Sequence, residues 1–157
     1  KSFVKNFSKA PSGNDRAQIL SVASGESKLA IANTYYYALM ASGKKGVQQQ
    51  KAAEKVKPFF PNQENRGTHM NISGIGVLKH SPNSNYAIRF IEFLLSPKVQ
   101  KHIVDNSFEY PMIDSVEPSS IIIQMGMNFK QDNQTNVSSY GKWQKKAFKL
   151  MKDANWN

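Results

Sequence analysis

At 157 residues, with 39% hydrophobic and 11% aromatic side chains, the chain has a globular composition and enough length for one ordinary domain with a core. Cysteine is absent, which excludes disulfides, thiolate metal sites and cysteine nucleophiles. The formal charge of +10, from 21 basic and 11 acidic residues, raises the question of a polyanionic partner, and no apolar run approaches the roughly 20 residues that span a bilayer.

Residues 2–10 place Phe3, Val4 and Phe7 at the spacing of a helix end, and Pro11-Ser12-Gly13 breaks it. No apolar block in the first ten residues reads as a signal peptide. Asp15 is a candidate N-cap with Gln18 at the capping-box position, and Gly25 sits where the helix stops. Residues 27–32 read as a short buried strand ending in the polar turn Asn33-Thr34, with Tyr35-Tyr36-Tyr37 at its carboxyl end. Side chains alternate along an extended backbone, so three consecutive phenols cannot all enter one core. Residues 36–42 continue as a helix closed by Gly43. Residues 44–57 favour helix but are almost wholly polar, and Pro58-Phe59-Phe60-Pro61 ends them.

Residues 69–78 form the second strand candidate, with Gly74 and Gly76 marking a backbone crossing or a close strand approach. The full phosphate-binding glycine pattern is missing, since position 79 is lysine. Residues 81–95 are the clearest helix, with Pro82 in its first turn and Tyr86, Ala87, Phe90, Ile91, Leu94 and Leu95 as its apolar stripe. Ser96-Pro97 caps the next helix, whose inner face is Val99, Ile103 and Val104. Residues 108–112 are extended, as Pro111 demands. Residues 119–125 read either as a β-branched strand or as a short helix. Residues 141–156 close as a helix with Trp143, Ala147, Leu150 and Met151 on its apolar side.

The lysines are scattered, and only Lys142, Lys145, Lys149 and Lys152 recur at helical spacing. That pattern fits a solvated basic face rather than a nucleic-acid footprint. His69, His80 and His102 lack the spacing of a zinc pair, and no Gly-x-Ser-x-Gly or paired carboxylates support an enzyme. The tyrosines remain. A phenolate oxygen is a hard anionic donor suited to a hard cation, and the cation's own charge ionises a phenol whose ordinary pKa is near 10.

Asn33-Thr34-Tyr35-Tyr36, followed by His69-Met70-Asn71-Ile72-Ser73-Gly74-Ile75-Gly76-Val77, resembles the periplasmic iron-binding proteins of ferric ABC importers. The segment from Ala87-Ile88 through Phe93-Leu94-Leu95-Ser96-Pro97 with Gln100, the stretch Phe108-Glu109-Tyr110-Pro111 and the terminal Leu150 to Trp156 are similar to further family motifs. The resemblance implies an α/β, type II periplasmic-binding fold, bilobal with hinge crossings, of which this chain is roughly the carboxyl-terminal half. Residues 1–66 would belong to the second lobe, 67–114 return into the first, and 115–157 return to the second.

It also implies Fe(3+) as cargo, with Tyr35 and Tyr36 as metal ligands and Tyr37 as a packing neighbour. Asn33, with Asp15 or Asn14, would contact a synergistic anion such as carbonate or phosphate, and Ser73, Gly74 and Gly76 would form a hinge. The implied partners are an inner-membrane ABC permease and the amino-terminal half of the same protein, with no nucleic acid, in the periplasm. Two rival readings are a solute-binding protein for another anion or an iron chelate, and a basic adaptor for nucleic acid or an anionic surface.

Overall fold

The computed structural model describes residues 2–10 and 12–156; the expected break at Pro11 lies outside the described residues. Among the described residues the elements are α1 (Ser2–Lys5), α2 (Asp15–Ala23), α3 (Thr34–Ala41), α4 (Val47–Ala53), α5 (Ser84–Leu94), α6 (Pro97–Ser107), α7 (Ser120–Met125) and α8 (Ser138–Asp153). None of these helices is long and apolar enough to cross a membrane.

Local chemistry sets most helix boundaries. The cap of α2 is Asn14 rather than the expected Asp15: the Asn14 side chain accepts from the Ala17 N–H at 3.2 Å. Gln18 does not complete a capping box, because its amide donates to the Ser12 carbonyl at 2.7 Å. Asp15 is thereby the first helical residue, and its carboxylate is left available for another element. Gly25 ends the turn after α2 at φ +80°. Ser96 and Pro97 open α6 as the sequence predicts. Pro82, by contrast, stands before Asn83, the cap of α5, and outside its first turn. Residues 120–125 resolve as helix, started by the Ser119 hydroxyl accepting from the Ile122 N–H at 3.4 Å.

The expected strands take a different form. Residues 29–33 and 69–78 form neither helix nor β-ladder, and the described residues contain one isolated parallel bridge, Thr68 with Gln131. A strand is completed only by a neighbour's N–H and C=O groups, and among the described residues no backbone ladder forms along these two. Leu29 is 88% exposed and Ile31 75%, so the apolar positions read as buried are uncovered within this chain. The expected inner faces of α5 and α8 behave alike: neither helix has a buried residue, and Tyr86, Phe90, Trp143 and Leu150 are all at least half exposed. Among the described residues the expected α/β organisation is therefore not seen.

The core is built around α3. One cluster joins Ala38 to Val104, Phe108, Val116, Ile122 and Met125, and the other joins Met40 to Ile19 and Ala53. Each face of α3 thus anchors a separate group of helices. Gln100 is buried and bridges two elements: its amide nitrogen donates to the Leu94 carbonyl at 2.9 Å, and its oxygen accepts from the Met112 N–H at 3.1 Å. Phe108, the residue after α6, adopts a left-handed φ of 58° and is buried, which turns the chain sharply into residues 109–112.

Candidate metal centre

The tyrosine triplet lies on a helix, not at the mouth of a strand. Asn33 is the cap residue of α3, so Tyr35, Tyr36 and Tyr37 occupy its first turns. Side chains on a helix fan out by about 100° per residue, which sends the three rings in different directions. Tyr35 packs on the cluster with Val104 and Phe108, Tyr36 on the cluster with Ile19 and Met40, and Tyr37 on both. Tyr37 is the most committed to packing, and burial pushes its phenol above the ordinary value. The Tyr35 and Tyr36 rings meet at 4.4 Å between centroids, tilted by 42°. Two adjacent phenols therefore sit side by side, half-buried, at the amino end of α3.

A hydrogen-bonded frame surrounds that pair. The Asp15 carboxylate accepts from the Asn33 backbone N–H at 2.8 Å and from the Asn33 amide at 3.1 Å. The Asn33 side-chain oxygen accepts from the Asn71 amide at 2.9 Å. Two residues further along the same extended segment, the Ser73 hydroxyl donates to Glu109 Oε1 at 3.2 Å. Of the two alternatives for the position opposite Asn33, Asp15 makes the contact, while Asn14 is engaged in capping α2. Gly74 and Gly76 follow Ser73 in the open; a Cβ at either would meet nothing within 4 Å, so no close approach inside this chain requires glycine there. His69 is turned to Tyr140, whose hydroxyl lies 3.4 Å from its Nδ1.

The electrostatics follow from this frame. The Tyr35 phenol is held above its ordinary pKa, first by its hydroxyl contact with Tyr36, then by desolvation, then by the negative fields of Tyr36, Asp15 and Glu109. Without a cation the phenol keeps its proton, and a cation that recruits it must displace that proton. Among the described residues no three histidine, aspartate or glutamate side chains gather into a metal-holding group, so a metal at this end of α3 depends on the phenols. Sequence reasoning passed over Glu109 and Asn71 as site residues. Their contribution depends on two extended segments meeting, for which neither residue carries a local signal.

Comparison with known proteins gives a consistent picture. Residues 4–101 match the family described as bacterial extracellular solute-binding protein. The chain is similar to iron uptake protein A1 of Synechocystis sp., with 44% identity over 99% of this chain and 42% of that protein. Among solved structures it is similar to the Trichodesmium protein IdiA (FutA) in complex with iron and citrate. The TM-score there is 0.91 at 46% identity, over 99% of this chain and 48% of that one. A ferric binding protein from Campylobacter jejuni superimposes with a TM-score of 0.87 at 39% identity, over 96% and 47% of the two chains. The chain thus spans about half the length of the relatives it matches. With the family matched across well over half of its residues, the chain belongs to the bacterial extracellular solute-binding proteins.

Proposed function

We propose that this chain is part of a periplasmic protein that captures ferric iron through the phenolates of Tyr35 and Tyr36 and delivers it to an inner-membrane ABC permease. The observation that carries the reading is the pairing of the two rings at 4.4 Å at the end of α3 whose cap residue, Asn33, is held by the Asp15 carboxylate. Hard anionic oxygens in a negative surrounding suit a small trivalent cation. Transport, not catalysis, is the proposed role.

In this reading the protein is a two-lobed α/β molecule. Residues 1–66 and 115–157 contribute to one lobe and residues 67–114 cross toward the other, with Ser73, Gly74 and Gly76 in the hinge. The extended segments 28–33 and 69–78 are strands whose partners come from the remainder of the protein. Two phenolates leave several positions of a six-coordinate ion unfilled, so further ligands come from the opposite lobe or from a synergistic anion such as carbonate or phosphate. The Asn33 amide gives one of its two N–H groups to Asp15, which leaves the other to donate to such an anion.

Adding ferric iron to the protein that carries this chain should produce a visible tyrosinate-to-iron charge-transfer band. The double variant Tyr35→Phe, Tyr36→Phe should abolish it. An unchanged band in that variant, or no band in the wild type, would overturn the assignment.

A further inference from the structure

Glu109 stands out as a partly buried charged group held between the core residue Phe108 and Tyr110, which packs on the same cluster. The turn that delivers it passes through Phe108, whose left-handed backbone is tolerated because its ring is buried. Immediately beyond, Gln100 pins the Met112 N–H at 3.1 Å, so residues 109–111 are fixed at both ends. The Ser73 hydroxyl then holds Glu109 Oε1 at 3.2 Å. Asn71 and Ser73, two residues apart on one segment, both make side-chain contacts across to other parts of the chain. The first reaches Asn33 at the start of α3 and the second reaches Glu109, so one short segment ties the carboxylate to the tyrosine helix. Glu109 is partly buried, and Tyr35 packs on the cluster that contains its neighbour Phe108.

We propose that Glu109, tethered by Ser73, is a specificity-determining residue that favours a trivalent over a divalent cation at Tyr35 and Tyr36. The inference rests on the phenolate reading above. Its reasoning is a charge balance. A trivalent ion bound to two phenolates carries one net positive charge, whereas a divalent ion bound to the same pair carries none. A neighbouring carboxylate therefore stabilises the first assembly and is nearly indifferent to the second. Asp15 acts in the same sense, but its oxygen already receives two hydrogen bonds from Asn33, whereas among the described residues Glu109 Oε1 receives one, from Ser73. No coordination by Glu109 is required, since the effect is exerted through space.

The test uses the intact protein that carries this chain. Gallium(III) serves as a redox-inert trivalent probe and zinc(II) as the divalent one, each titrated against tyrosine ultraviolet difference absorbance. Glu109→Gln keeps the size of the side chain and an acceptor for Ser73 but removes the charge. The ratio of gallium to zinc affinity should fall about three- to tenfold, as one unit charge in a partly solvated site provides, with the gallium affinity bearing most of the change. Glu109→Asp should restore most of the ratio, and Ser73→Ala should lower it by freeing the carboxylate; these two carry the test should the glutamine variant not fold. An unchanged ratio, or an equal loss for both ions, would overturn the proposal while leaving the phenolate reading intact. A wild-type protein whose tyrosines respond to neither ion would overturn both.

Discussion

Asp15→Ala should cost about 2–3 kcal/mol of stability, and the geometry of Asn33 sets that figure. One carboxylate oxygen accepts both the Asn33 backbone N–H at 2.8 Å and the Asn33 amide at 3.1 Å, joining the amino ends of α2 and α3. Hydrogen bonds to a charged acceptor contribute roughly 1.5–3 kcal/mol each. Both share one oxygen in a half-buried site where water can replace part of the loss, so about 2 kcal/mol is realistic for the two. Removing an acidic side chain from the first turn of α2 adds about 0.5 kcal/mol through the helix dipole. Urea unfolding of the protein carrying this chain measures the sum. Asp15→Asn, which keeps an acceptor but loses the charge, should cost about half as much. An Asp15→Ala variant within about 0.5 kcal/mol of wild type would refute the bracing role, since surface changes away from such features fall in that range. A large loss of metal affinity with no loss of stability would instead make Asp15 a ligand.

Three further outcomes follow from the packing. Met40→Ala, at a fully buried position against Ile19 and Ala53, should destabilise by about 2–5 kcal/mol, measured by denaturant unfolding, and loosen α3 beneath the tyrosines. Gly67→Ala should cost about 2–4 kcal/mol, because φ is +92° and a Cβ would sit 2.6 Å from the Gln131 carbonyl carbon; amide exchange at Thr68 and Asp132 should accelerate as the bridge opens. Tyr110 is raised to about 12 by burial, and its hydroxyl donates to the Gly126 carbonyl at 3.1 Å. A raised value means the folded state favours the neutral phenol, so this contribution is complete below pH 10 and is lost as pH rises from about 10 to 12. Tyr110→Phe should cost about 1 kcal/mol at neutral pH and flatten the alkaline fall, read from urea midpoints at pH 9 and pH 11.

Helices were legible because their signals are local. Ser96-Pro97 announces α6, Gly25 closes the turn after α2, and the polar stretch after Gly43 becomes a short helix with one buried alanine. The error at Asp15 was a shift of a single residue, since asparagine and aspartate cap equally well and the sequence places them side by side. The tyrosine pair was legible as two phenols in succession. Its setting was not: the pattern 27–32 reads as a strand and draws the tyrosines onto its end, whereas Asn33 starts a helix there. Glu109 and Asn71 were beyond local reading, because their contacts span 36 and 38 residues of sequence.

The extended segments show why the remaining error is physical and not a misreading of propensity. Residues 29–33 and 69–78 carry the alternation and β-branching of strands, and neither segment is drawn into a helix. Among the described residues neither joins a ladder, and β-structure is a property of pairs. Leu29 and Ile31, two residues apart and both largely exposed, share one face of the first segment; Ile75 and Val77 do so on the second. Bare apolar edges of this kind invite uncontrolled pairing unless another strand or a covering layer meets them. The second segment is at the same time the one that holds Asn33 through Asn71 and Glu109 through Ser73. A strand docking along its apolar half would therefore fix the polar half against the tyrosines. In the two-lobed reading, assembly of the sheet and organisation of the metal site become one event, because both depend on where residues 71–77 lie.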